Sequence, residues 1–518
     1  MLILGPLKVK EPVFVMKKLL RVLFGRTLFL VLSLLIQAIV LLSFMLKLSD
    51  YLYVYYGFSM IVALLFSAHI ANLDISSSVR MSWIAVVFAL PVFGVLFYLF
   101  IDLQPTIKLI NKRIEYLIKE TKPYLVQKDI FEENSHLIGL SNYMNNYAGF
   151  PIYNNSDVKY LKSGEEKYEE LLIELKKAEK FIFLEYFIID EGKMWDSILE
   201  ILKAKAKQGV QVRLMYDGTC MFSLLPHSYP KQMEKFGIKC RVFSPLRPAL
   251  TTYQNNRDHR KIVIVDGKVA FTGGINLADE YINEIKRFGH WKDNAVKITG
   301  EAVRSFTIMF LQMWNIGEKR NNEYEKYLTE VPVKGVKGYV MPYGDHPFDE
   351  EYVGEYVYMD ILNKAKRYVH IMTPYLIPSN EMVRCLENAS KRGVDVKIIM
   401  PYITDKPSAY YIARTFYPKL IEKGIEIYEY TPGFVHAKTF VSDDKKAVVG
   451  TINMDFRSLY QNLECAAYME EVEAIKDIEV DYQETLKQCH KMTLEDCNKY
   501  NPVLKLIGKL LWIISPLM

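Results

Sequence analysis

The 518-residue chain is long enough for two domains plus accessory segments, and half of its residues are hydrophobic. Its net charge of +5 resides in residues 1–26, which hold six of the 65 Lys and Arg and one of the 60 Asp and Glu, leaving 59 of each sign elsewhere. A body so balanced lacks the basic footprint of a nucleic-acid binder, and Cys220, Cys240, Cys385, Cys465, Cys489 and Cys497 form neither a CxxC pair nor a metal-ligand spacing.

In chain order, the basic arm 1–26 reads as a cytoplasmic, lipid-facing flank. Three windows follow without Lys, Arg, Asp or Glu: Thr27 to Leu46, Tyr51 to Ala71 and Met81 to Ile101. Each is long enough to cross a bilayer, so residues 27–101 are expected to form two or three transmembrane helices. Tyr51 to Ala71 is the weakest of them, because His69 and its clustered tyrosines suit an interface as well as a span. The first window is too long and lacks the small-residue site of a cleaved signal peptide, so it reads as a retained anchor. Residues 102–150 form a membrane-proximal linker whose IKLINKRIEYLIKE stretch is expected to ride near the membrane surface.

From about Val158 the pattern alternates strand and helix, which predicts parallel α/β pairing. Then it repeats. KKAEKFIFLEYFIID returns as NKAKRYVHIMTPYLIPS, and Gly209 and Gly237 return as Gly393 and Gly424. The expected fold is α/β, with two similar lobes at 151–330 and 331–500. The tail 501–518, with Lys505 and Lys509 spaced four apart among apolar residues, reads as an amphipathic membrane-surface helix.

Each lobe carries the same constellation. DHRKIVIVDG supplies His259, Lys261 and Asp266, followed by Gly273 and Asn276; VHAKTFVSDD supplies His436, Lys438 and Asp443, followed by Gly450 and Asn453. All the intervals are identical. Strand periodicity projects each histidine and its lysine to one face. The pattern suits phosphoryl or phosphatidyl transfer, in which imidazole is the nucleophile, lysine neutralises phosphate oxygens and the asparagines donate to them. The motif aspartates either orient the imidazoles or tie down the strand turns. A nucleophile and an acid are both needed, so each lobe is expected to contribute one histidine to a shared site.

The doubled HxKxxxxD and GxxN pattern resembles the phospholipase D superfamily, and it narrows to bacterial cardiolipin synthases through LEYFIID, GGINLADEY, HWKDNAVKITG, TPYLIP, GFVHAK, GTINMDFRS and NLE. The resemblance implies two duplicated phospholipase D-like lobes with the active site at their interface. It implies conversion of two phosphatidylglycerol molecules to cardiolipin and glycerol through a phosphatidyl-histidine intermediate, without cofactor or metal. By the same resemblance His259 is the nucleophile and His436 the general acid and later base. Lys261, Lys438, Asn276 and Asn453 hold the phosphate; Glu185 and Glu464 orient a histidine or shape the pocket; Gly273, Gly450 and Thr451 support the site; Arg457 meets a headgroup or makes an ion pair. Asp279 and Glu280 are expected to cap and begin a helix. Gly274 departs from the Ser or Thr common beside the first glycine, a hydroxyl that Thr451 keeps. The implied partners are phosphatidylglycerol, other phospholipids and the membrane, with no nucleic acid. The implied location is the bacterial cell membrane, crossed more than once, with the catalytic body on the cytoplasmic side. A phospholipase D-type hydrolase, a phosphatidyltransferase using phosphatidylethanolamine or making phosphatidylserine, and a catalytically dead scaffold are the alternatives.

Overall fold

The structure, a computed structural model, describes residues 35, 39, 42–43, 51–102, 105–128, 130, 136–244, 256–318, 323–331, 333, 335–349 and 351–517. The basic arm and most of the first hydrophobic window lie outside them. The chain divides into an amino-terminal unit and a larger unit that begins at Lys108.

The amino-terminal unit contains the helices Leu52–Ala71, Ser77–Ala89 and Pro91–Asp102. Only the stretch Tyr53–Ala71 is, among the described residues, a helix long and apolar enough to cross a membrane. The window thought weakest is thus the one that, among the described residues, forms a single helix of that length, and the window 81–101 is not one helix. Pro91 supplies the reason: it has no N–H to donate and disfavours helical geometry at Leu90, whose φ and ψ are −137° and 71°. The following helix then returns along the preceding one, with Gly94 so close that a Cβ there would lie 2.6 Å from the carbonyl oxygen of Val86. Trp83 and Tyr98 pack edge to face, 5.4 Å between centroids, in a small core with Ala63, Ile70, Val87 and Val95.

The larger unit is built on two sheets. The first contains β1 (Ser156–Leu161), β2 (Phe181–Tyr186), β3 (Gln211–Asp217), β4 (Lys239–Phe243), β5 (Lys261–Val265), β6 (Val269–Gly273) and β8 (Ala295–Gly300), in the order β1-β8-β6-β5-β2-β3-β4; β7 (His290–Lys292) stands apart from it. The second contains β9 (Tyr339–Asp345), β10 (Tyr368–Met372), β11 (Asp395–Pro401), β12 (Glu426–Tyr430), β14 (Thr439–Ser442), β15 (Lys446–Gly450), β16 (Glu464–Glu470) and β17 (Cys489–Lys491), with β13 (Gly433–Val435) outside it. Its order, β9-β16-β15-β14-β10-β11-β12-β17, reproduces the first strand for strand and adds β17 at the edge. β2, β3 and β4 run parallel, as do β10, β11 and β12. The expected duplication is therefore a duplication of whole sheets.

The lobes are joined through a common interior. The helix Val303–Asn315 is buried along nearly all its length in a core that draws Phe183 and Ile262 from the first sheet and Val449 and Ala467 from the second. β7 and β13 form a parallel pair between the lobes, Trp291 opposite Phe434. The helix Pro105–Thr121, expected near the membrane surface, buries Ile114 in this core and packs Ile118 against it, and the Arg113 guanidinium donates to the carbonyls of Asn315 and Glu318 at 3.1 and 2.6 Å. Leu137, Leu140 and Met144, assigned to the linker by sequence, belong to the core of the second lobe. The helix Pro502–Ile514 packs through Gly508, where a Cβ would lie 2.3 Å from the Tyr411 carbonyl oxygen, and leaves Val503, Leu506 and Leu510 exposed.

The motif aspartates belong to this framework. Asp266 and Gly267 are the central residues of the turn between β5 and β6, with φ of 55° and 65°, closed by the Lys268 N–H on the Val265 carbonyl, and Asp443 and Asp444 repeat it between β14 and β15 with φ of 57° and 58°. The Asp266 carboxylate accepts the backbone N–H groups of Glu179, Lys180 and Phe181 at 2.8, 2.7 and 2.8 Å, and Asp443 does the same for Lys366, Arg367 and Tyr368. Of the two tasks open to them, these bonds favour tying down the strand turns over orienting the histidines. Asp266→Ala should accordingly lower stability by about 2–4 kcal/mol in denaturant unfolding, because three N–H acceptors are lost at once.

Candidate active site

His259 lies two residues before β5 and His436 three residues before β14, the corresponding strand, so the two occupy equivalent places in the two lobes. Each is held by the other lobe. The backbone N–H of His259 donates to the carbonyl of Leu463 at 2.9 Å, and its Nδ1 lies 2.9 Å from the carboxylate of Glu464, the next residue. The backbone N–H of His436 donates to the carbonyl of Lys292 at 2.7 Å, and its Nδ1 lies 2.7 Å from the carboxylate of Asp293, again the next residue. Glu464 opens β16, and Asp293 directly follows β7, two residues before β8, the strand that corresponds to β16. An Nδ1–H donated to a carboxylate leaves Nε2 with its lone pair, the form a nucleophile or base requires. The rings are wedged by aromatic neighbours: Phe187 stands 4.9 Å from His259, and Trp291 and Tyr281 stand 5.2 and 5.6 Å from His436.

Glu464 was among the expected orienting acids, and it takes that place. Glu185 does not. It is fully buried beside Asp258, with its carboxylate 4.0 Å from Arg260, and burial together with the Asp258 charge raises its pKa well above the carboxylate range. Asp293 escaped notice, although HWKD and NLE place an acid ahead of corresponding strands, a signal that becomes visible once the two sheets are aligned.

The departure at Gly274 has its cause here. A Cβ on Gly274 would lie 2.1 Å from Oδ1 of Asp293, so the shorter acid and the missing side chain go together. In the other lobe the longer Glu464 leaves room for Thr451, whose hydroxyl donates to it, while Asn462 donates from 3.2 Å. Gly273 and Gly450 are equally confined; a Cβ at either would lie about 2.4 Å from the neighbouring strand. Gly274→Ala should displace Asp293 and lower kcat by about 10²-fold, the effect expected of an ångström-scale misplacement, with folding checked by circular dichroism.

Both histidines open into one cavity of about 320 Å³, which Asn276, Asn453 and Arg457 also line. The Asn276 amide is already fixed, accepting from the Ile188 N–H at 3.1 Å and donating to the Tyr281 hydroxyl at 2.7 Å, and Asn453 donates to Ser458 at 3.0 Å. Lys261 and Lys438 are 1% exposed, and each ammonium bonds the carbonyl of the histidine two residues earlier. Arg457 is largely buried and faces the cavity beside Asp455 and Arg257. Asp279 caps a helix other than the one that follows it: its carboxylate accepts the N–H groups of Lys193 and Met194 at 2.9 and 2.8 Å. Glu280 lines the cavity.

The site is built for negative charge. Burial lowers the Lys261 ammonium to about 8 and the Lys438 ammonium to about 7. Burial and the adjacent lysines lower His436 to about 4 and His259 well below its ordinary value. Burial raises Glu464 to about 7, with Lys261 opposing; in Asp293 burial is overcome by His436 and Lys438, which hold it low. A phosphodiester among these groups strengthens both lysines and makes an imidazolium easier to form.

Residues 171–314 and 358–486 match the family described as cardiolipin synthase, PLD-like domain, which together is more than half the chain. The chain belongs to the cardiolipin synthase family. It is 32% identical over 446 residues to the cardiolipin synthase of Alkalihalophilus pseudofirmus, covering 85% of this chain and 88% of that protein, and 31% identical over 455 residues to that of a Geobacillus species, covering 84% and 88%. It is 48% identical over 456 residues to an uncharacterized protein of Streptococcus mutans, covering 87% of this chain and 99% of that protein. The phosphatidylserine synthase of Haemophilus influenzae superposes with a TM-score of 0.56 at 14% identity, over 73% of this chain and 99% of that one, a likeness of fold. This member of the cardiolipin synthase family is therefore an enzyme, a phosphatidyltransferase that acts on phospholipids.

Proposed function

We propose that the protein makes cardiolipin from two phosphatidylglycerol molecules. The observation that carries this reading is the pair of imidazoles in one cavity, each with Nδ1 on an acid from the opposite lobe. His436 enters the step as the imidazolium, its Nδ1–H on Asp293; Nε2 of His259 attacks phosphorus, the bond to the departing glycerol oxygen breaks, and that oxygen takes the Nε2 proton of His436, which becomes neutral. The phosphatidyl group is then held by a P–N bond to His259. His436 next takes the proton of a hydroxyl on the second phosphatidylglycerol, whose oxygen attacks phosphorus and releases His259. Lys261, Lys438, Asn276 and Asn453 hold the non-bridging oxygens throughout. No further reactant is consumed, because each proton taken is returned.

The reaction places the protein at a bilayer, where its substrate resides. Multi-pass insertion in the cell membrane with the catalytic body on the cytoplasmic side is part of the same proposal, supported by the apolar helix Tyr53–Ala71, by the family and by the basic arm.

Detergent-purified protein given phosphatidylglycerol in the presence of a metal chelator should release cardiolipin and glycerol in equal amounts. Phosphatidic acid with glycerol would make it a hydrolase, and no turnover until another donor is supplied would make it a different phosphatidyltransferase.

A further inference from the structure

A second cavity of about 270 Å³ adjoins the catalytic one, and Tyr375, Lys406, Asp455 and Arg457 line both. The rest of its wall is mostly hydrocarbon, including Ile377, Ala409, Ile412 and Phe456, and all of it except Ser515 of the tail comes from the second lobe. The boundary is cationic. Lys406 Nζ sits 4.8 Å over the ring of Tyr375, whose hydroxyl donates to Asp405 at 2.7 Å, and Arg457 stands beside it. Of the nearby acids, Asp405 accepts from Tyr375, and Asp455 accepts the Ser458 N–H at 2.8 Å and is raised in pKa by burial. Asp455 also faces Lys406 and Arg457, whose charges oppose that rise.

Double displacement decides which lipid belongs there. The departing and entering oxygens approach phosphorus from the same side, opposite His259 and beside His436. A cavity that shares its boundary with the catalytic one lies within reach of the remainder of the entering lipid. That lipid carries its own phosphodiester one glycerol away from the reacting hydroxyl, whereas water carries none.

Resting on the cardiolipin reading, we infer that Lys406 and Arg457 bind the phosphodiester of the accepting phosphatidylglycerol, and that the apolar cavity receives the first part of one of its acyl chains. The volume lies just below the usual range of small-molecule pockets, which suits a chain segment rather than a whole lipid.

The test compares two acceptors for one intermediate. Cardiolipin formation in phosphatidylglycerol mixed micelles needs the proposed subsite; exchange of labelled glycerol into phosphatidylglycerol uses the same intermediate with an acceptor that has neither phosphate nor chain. Ile412→Trp and Ala409→Phe, which fill the cavity, should each lower cardiolipin formation tenfold or more through a raised KM for the acceptor, while exchange stays within twofold; Lys406→Met, which removes a boundary charge, should raise the same KM. Equal loss of both reactions in the two cavity-filling variants would assign the cavity to the donor and overturn the inference. No loss of either would show that no acceptor enters it. A parent enzyme that exchanges glycerol but makes no cardiolipin would instead overturn the reading on which the inference rests.

Discussion

Asp293→Asn and Glu464→Gln should each lower kcat by about 10²- to 10⁴-fold with little change in KM, the size of effect seen when an orienting carboxylate behind a catalytic histidine is neutralised. The amide keeps the shape of the acid but no longer favours the Nδ1–H tautomer, nor does it stabilise an imidazolium. The two variants should differ in their pH dependence. Glu464 is raised by burial to about 7, so its charged form appears as pH rises through that value. The phosphate-holding ammonium of Lys261 is lowered by burial to about 8 and is lost above it. The other phosphate-holding ammonium, Lys438, is lowered by burial to about 7 and is lost above that value, so activity that needs a charged Glu464 and both charged lysines rises as pH approaches about 7 and falls beyond it, and kcat/KM should pass through a narrow maximum near 7, as a property of the whole coupled cluster. Glu464→Gln removes the rising limb and keeps the falling one; Asp293→Asn, whose acid is already held low by His436, leaves both limbs in place. Initial rates across pH with each variant measure this directly, and an unchanged rising limb in Glu464→Gln would show that another group titrates there.

Replacement of either histidine has a larger expected effect. His259→Ala and His436→Ala should each reduce steady-state turnover by at least about 10⁴-fold, since residues that act as one unit fail together. They should fail at different steps. Without His259 no covalent intermediate forms. Without His436 the glycerol oxygen must leave unprotonated, so a donor with a better leaving group, such as a phosphatidyl p-nitrophenol, should release about one equivalent of nitrophenol from His436→Ala and none from His259→Ala. A burst from both variants, or from His259→Ala alone, would exchange or abolish the assigned roles.

The repeat was legible in the sequence because the histidine, lysine, aspartate, glycine and asparagine recur at fixed intervals along adjacent strands, where spacing along the chain fixes spacing in space. The parallel runs β2-β3-β4 and β10-β11-β12 followed from the alternation of strand and helix, whereas the antiparallel strands beside them did not. The crossing of Asp293 and Glu464 to the opposite histidines was not legible, because it depends on how one lobe faces the other. Residues 34 and 28 positions downstream of a histidine in the same lobe serve its counterpart, and no interval between Asp293 and His436 announces that. Glu185 misled for the complementary reason: its strand is central and its neighbourhood resembles a site, yet its carboxylate faces Asp258 and Arg260. In the hydrophobic region composition alone was followed, and Pro91 outweighed it. A run of twenty apolar residues describes a span only when the backbone can remain helical throughout.

The account rests on His259 carrying the phosphatidyl group. Phosphatidylglycerol labelled at phosphorus, mixed with the protein for milliseconds, quenched and digested, should leave its label on the peptide that contains His259. Label on the peptide containing His436, or product formed with no labelled peptide at any time, would contradict it.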